Sequence, residues 1–151
     1  SAVMAPYLSQ REKFGADVLA LLDQGRLLPA AGYINAQRLR RIYQQQFRSL
    51  WKDIDILLTP ATPVPAPKIG QTEVVLGGET EDVRLASTRL VRAINVLGLP
   101  ALSIPCGLAT SNLPIGAQLI GPAWSEARLL RAGAALEDAG AALWRKPPVA
   151  A

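Results

Sequence analysis

Residues 101–120 read Ala-Leu-Ser-Ile-Pro-Cys-Gly-Leu-Ala-Thr-Ser-Asn-Leu-Pro-Ile-Gly-Ala-Gln-Leu-Ile. Two apolar runs, Ala101–Pro105 and Ile115–Ile120, flank the stretch Gly107–Pro114, which is rich in turn-forming residues. Short apolar runs bounded in this way read as strands. A connection this brief predicts a hairpin-like return that sets the two strands side by side in one sheet. Upstream, Ile54-Asp55-Ile56-Leu57-Leu58-Thr59 is nearly continuous in apolar character and predicts a strand covered on both faces. Pro60, Pro63, Pro65 and Pro67 then enforce an extended, irregular segment. Thr72–Leu76 and Glu79–Asp82, joined by Gly77-Gly78, predict a small hairpin.

Helices fill the remainder. Residues 9–24 predict one with Phe14, Val18, Leu21 and Leu22 on its buried side and Gly25 as its stop. Gly32–Asp53 carries Ala36, Leu39, Tyr43, Phe47 and Leu50 at steps of three and four, a stripe that continues to Ile54. Val83–Leu97 predicts a third helix, with Leu90, Ile94 and Leu97 inward and Gly98 as its stop. Ser125 is the expected N-cap of a last helix bearing Leu129, Leu130, Gly133 and Leu136 and closed by Gly140. Helices alternating with apolar strands place the chain in the α/β class. The reading is of a single partial domain over 1–151, with 145–151 a frayed tail.

Composition narrows the chemistry. The 151 residues are 50% hydrophobic and 19% charged, with 12 Gly and 12 Pro, so the chain can bury a core and is unlike a disordered or collagenous one. No apolar run approaches the length of a membrane span. Histidine is absent, which excludes a Ser-His-Asp triad, a Cys-His dyad, His-ligated zinc and an imidazole base within these residues. The single Cys106 cannot form an internal disulfide. These features predict a cytoplasmic protein without metal or cofactor.

The balance of 16 Lys+Arg against 12 Asp+Glu leaves a charge of +4, enough to raise nucleic acid as a partner. Arg38, Arg41, Gln45, Arg48 and Lys52 share one helical stripe. Without interleaved aromatics or a recognised nucleic-acid motif, that stripe reads as a solvated face, and neither nucleic acid nor membrane is an expected partner.

Three further features could carry chemistry. Ser49-Leu50-Trp51-Lys52 fits the S-x-x-K pattern of serine acyltransferases, but it ends a helix on its polar side and lacks companion motifs. Cys106, without a base to activate it, reads as a small buried apolar residue. Asn95 interrupts the apolar run Ala93–Leu97. Its amide either braces the turn at Gly98–Pro100 or lines a ligand cavity.

Set in order, the motifs resemble the amidase signature family. The matching stretches are Asp55–Pro63 with Ala66–Gly70, then Asn95–Gly107, then Leu113–Pro122. The closing helix with Leu129, Leu130, Ala134 and Glu137 is also similar, as are Tyr33, Ala36, Gln37 and Arg40 before the first motif. The resemblance implies the C-terminal portion of an amidase-like α/β/α sandwich with a mixed sheet. It also implies hydrolysis of a small carboxamide substrate by a Ser–cis-Ser–Lys triad in the full-length enzyme. The Gly/Ser-rich segment that bears that nucleophile has no counterpart in these 151 residues, so no catalytic residue is carried over and this stretch is expected to be inactive in isolation. A standalone interaction or oligomerisation module is the alternative.

Two departures from the family pattern bear on the site. Asn112 replaces a glycine before Leu-Pro and should still permit the left-handed turn. Val91 stands where a threonine is frequent, near the substrate pocket that the resemblance implies. Val91 and Asn95 are therefore the candidate substrate-binding residues. Unpaired strand edges at Ile54–Thr59 and Leu102–Ile104, or the helices at 83–97 and 125–139, predict a homo-oligomer.

Overall fold

The computed structural model describes residues 2–141, and its contacts divide the chain after Ile42. The tail 145–151 lies outside the described residues.

In the first unit, Ala2–Lys13 forms 3₁₀ turns that contain Pro6 and break at Gln10 (φ −111°, ψ 52°). The first α-helix, α1, is Ala16–Leu27. It starts later than the expected residue 9 and runs straight through Gly25, the expected stop. A lone glycine weakens a helix without ending it. Pro29 ends it instead, by excluding the α conformation from Leu28, which is extended at φ −71°, ψ 121°. The expected buried side is only partly realised: Phe14 and Leu22 are half-buried, while Val18 and Leu21 face solvent. Arg11 grips Asp23 through two hydrogen bonds, of 3.0 and 2.7 Å. That fork holds the Asp23 carboxyl below the usual carboxylate range, chiefly by hydrogen bonding.

Helix α2, Ala30–Leu50, begins directly after Pro29. Arg38, Arg41, Gln45, Arg48 and Lys52 are exposed, as a solvated stripe should be. On the apolar stripe Leu39 and Tyr43 are exposed, and Phe47 and Leu50 are half-buried. No described helix is long and apolar enough to cross a membrane.

The second unit holds β1 (Leu57–Pro60), β2 (Glu73–Leu76), β3 (Glu79–Asp82), α3 (Val83–Leu97), β4 (Ala101–Leu108), β5 (Pro114–Ile120) and α4 (Glu126–Asp138). The expected pairing of residues 101–105 with 115–120 is present. Strand β4 lies antiparallel to β5 with Leu102 opposite Leu119 and Ile104 opposite Ala117. The register slips between Pro105 and Gly107, a bulge at Cys106. On its other side β5 pairs antiparallel with β1, giving the order β1-β5-β4. Both β1 and β4 are therefore sheet edges among the described residues.

Strand β1 corrects one expectation. Leu57 is half-buried but Leu58 is 61% exposed, so the strand is not covered on both faces. Helix α4 packs on β4 and β5 rather than on the β1 edge. The return at Asn112 (φ 60°) closes as expected, with the Asn112 N–H donating to the Ala109 carbonyl at 2.8 Å. Strands β2 and β3 form the predicted hairpin, turned by Gly77 and Gly78 at φ 60° and 88°.

Helix α3 matches its predicted bounds because both ends are capped. The Asp82 carboxylate accepts from the N–H groups of Arg84 and Leu85 at 2.9 and 3.0 Å. Gly98 adopts φ 70° and donates to Ile94 and Asn95 carbonyls. Of its expected inward residues, Ile94 and Leu97 are buried and Leu90 is half-buried.

The core joins Ile104, Leu119 and Leu129, flanked by Ile56, Leu102, Ala117, Ala132 and Leu136. Gly133 lets α4 approach the sheet, since a Cβ there would lie 2.6 Å from Leu102 Cδ2. Ser125 occupies the N-cap position of α4, yet its hydroxyl donates to the Pro122 carbonyl at 2.7 Å rather than capping the helix. Leu130 is exposed.

Candidate functional site

Val91 and Asn95 sit one turn apart on α3, so they share a helix face. Val91 is half-buried and Asn95 exposed. The turn at Gly98 is closed by the Asn95 backbone carbonyl, which accepts the Gly98 N–H at 3.0 Å. The Asn95 side chain makes no hydrogen bond among the described residues, so bracing of that turn belongs to its backbone and not to its amide.

The other candidates separate. Ser49 donates its hydroxyl to the Gln46 carbonyl at 2.6 Å, inside its own helix turn, and both it and Lys52 are exposed. A serine held this way is not aimed at its lysine. Cys106 is exposed, contrary to expectation. The bulge in an edge strand carries it past the cover of α4, and its thiol lies 3.7 Å from the Ile115 carbonyl. It borders a groove of about 510 Å³ walled by Leu58, Pro63, Val64, Pro65 and Ile115. Asp55 accepts a hydrogen bond from Arg128 Nη1 at 2.9 Å, an ion pair between the approach to β1 and helix α4.

One buried polar side chain lies outside the candidates named from the sequence. Gln118, in the middle of β5, is only 5% exposed. Its neighbours across the sheet are Thr59 on β1 and Ser103 on β4. Its Nε2 donates to Thr59 Oγ1 at 3.3 Å. A buried amide must find such a partner, and this bond ties β5 to β1. Gly116, two residues before it, admits Ala61 and Ser103, whose Cβ and Oγ would lie 3.2 and 3.3 Å from an added Cβ. The break of Gln118 in an otherwise small and apolar strand was the available signal.

A second cavity, of about 400 Å³, lies between the end of α2, the end of α3 and the loop after β5. No motif pointed to it, because its walls come from residues nearly eighty positions apart. Among these groups no nucleophile is hydrogen-bonded to a base: Ser49 bonds the Gln46 carbonyl and Cys106 the Ile115 carbonyl.

A family model described as Amidase matches residues 6–130. The chain belongs to the amidase family. Among relatives of this amidase segment, the 1-carboxybiuret hydrolase subunit AtzE of Pseudomonas sp. (strain ADP) is 40% identical over 78% of the segment and 26% of the relative. A fatty acid amide hydrolase of Oryza sativa subsp. indica is 37% identical over 85% of the segment and 21% of the relative. The segment thus spans about a quarter of the length of the curated relatives it matches. A solved structure, described as an unexpected vestigial protein complex that reveals the evolutionary origins of an s-triazine catabolic enzyme, superposes with a TM-score of 0.88. That match is 34% identical over 96% of this segment and 32% of the solved chain. The α/β architecture is that of the amidase-signature fold.

Proposed function

We propose that these residues are the C-terminal scaffold and substrate-cavity segment of a cytoplasmic hydrolase that cleaves carboxamides, and that they carry no hydrolytic activity by themselves. The observation that carries this reading is the family match over residues 6–130 combined with the state of the one serine–lysine pair it encloses. Ser49 is bonded into its own helix, so the match brings walls and strands but no activated nucleophile. The relatives named for hydrolysis of an amide or of 1-carboxybiuret support the reaction class. Val91 and Asn95, on one face of α3, are the proposed contacts to the amide substrate.

Ammonia release from simple aliphatic and aryl amides tests the reading. The purified 151-residue chain should give none above background. Turnover that Ser49→Ala abolishes would restore the Ser49/Lys52 dyad and overturn it.

A second reading, a non-catalytic module that self-associates, is favoured by the two uncovered sheet edges at β1 and β4. Pairing of these edges, or of helices α3 and α4, would give a homo-oligomer, most simply a two-fold dimer. Sedimentation equilibrium at tens of micromolar, roughly where weak association shows, should then report a dimer. A stable monomer would remove this reading and leave the first intact.

A further inference from the structure

The cavity between α2 and α3 is built differently from the groove at Cys106. Phe47 and Trp51 stand on one side with ring centroids 6.2 Å apart and tilted by 57°. Leu99 and Pro122 stand among the opposing walls, and Gln44 and Arg48 supply the polar groups. Gln44 Nε2 is already spent on the Leu97 carbonyl, at 2.8 Å. The Ile94 and Asn95 carbonyls are taken by the N–H of Gly98. Much of the negative end of α3 that borders this cavity is therefore neutralised by hydrogen bonds. The Arg48 guanidinium is not: it has no side-chain ion pair or hydrogen bond among the described residues, and no acidic residue lies between Asp23 and Asp53 in the sequence.

We infer that this cavity is a binding site for a small aromatic carboxylate. The ring would lie against Trp51, Phe47 and Pro122, and the carboxylate would take the free guanidinium of Arg48. An aromatic wall supplies apolar area and stacking, and a guanidinium fork matches a carboxylate in both charge and shape. A primary amide of the same size would keep the ring contacts but lose the charge. Neither Val91 nor Asn95 lines this cavity, and the inference does not depend on the proposed hydrolytic role.

The test is a titration of the 151-residue chain with benzoate and with benzamide, read by the NMR shift of the Trp51 indole N–H, assigned with Trp51→Phe. Benzoate should shift that resonance saturably, and benzamide should bind about tenfold more weakly or worse. Arg48→Gln, an exposed helix substitution, should bring benzoate down to the level of benzamide without altering benzamide. No saturable benzoate shift up to on the order of 10 mM would overturn the inference. So would equal affinity for the two ligands, or a benzoate preference that survives Arg48→Gln.

Discussion

Residues 16–42 and residues 101–136 both carry regular apolar spacing, but only the second stretch buries it. Helices α1 and α2 contain no buried residue, and Leu21, Leu27, Tyr33 and Leu39 are each more than half exposed. In the sheet and α4, by contrast, Ile104, Leu119 and Leu129 are 6%, 3% and 2% exposed. The difference teaches that periodicity specifies a helix and its face, while burial needs a second surface to close on. Strands β4 and β5 bring their own cover in α4. The apolar stripe of α1 and early α2 has no buried residue among the described residues. On the proposed reading, further parts of an amidase-length chain are what that stripe packs against.

The sharpest way to break this contrast is to delete the same side chain on each side of it. Leu129→Ala should cost about 2–5 kcal/mol, since it opens a cavity between α4 and the sheet. Leu21→Ala should stay within about 0.5 kcal/mol, as an exposed position does. Urea unfolding monitored by circular dichroism compares them, and similar losses would erase the distinction. Next in size is Gly121→Ala. The added methyl would meet Leu129 Cδ2 at 3.2 Å and would also collide with the Ser125 hydroxyl, so a loss of about 1–3 kcal/mol is expected. Asp82→Ala removes the α3 cap and should cost about 1 kcal/mol, with Asp82→Asn recovering most of it.

The smallest effect belongs to the first unit. Because its folded pKa is depressed by Arg11, Asp23 contributes stability above the usual carboxylate range. That contribution is lost as pH falls through the lowered folded value. An NMR titration of the Asp23 carboxyl should show the lowered midpoint, and Arg11→Gln should return it toward the ordinary one. An unchanged midpoint in the variant would detach the shift from the Arg11 fork.

Much of the second unit was legible from residues alone. The α3 bounds follow from an acidic cap at Asp82 and a glycine at 98, and the β2–β3 turn follows from Gly77-Gly78. Both are local signals that tertiary packing had no reason to override. The β4–β5 pairing followed from the brevity of its return. What failed were the expectations of burial at positions that no other element covers. Val18, Leu21, Leu58 and Cys106 are apolar or small and were expected to be buried, but each lies where no second element reaches. Gly25 misled because a glycine within a helix costs only about 1 kcal/mol, whereas Pro29 acts sterically on Leu28. At the candidate site, Val91 and Asn95 were singled out by the family resemblance and by a polar break in an apolar run, and α3 puts them one turn apart. The Arg48 cavity was invisible because three separated segments build it.

Native-state hydrogen exchange on the 151-residue chain tests the central contrast most directly. Backbone amides of β4 and β5 that bond across the sheet should exchange near the limit set by global unfolding. Those of α1 should exchange at least roughly a hundredfold faster, through local opening of a helix with no buried face. Protection of α1 equal to that of the β4–β5 pair would contradict the account, because it would mean that residues 16–27 already have their covering surface.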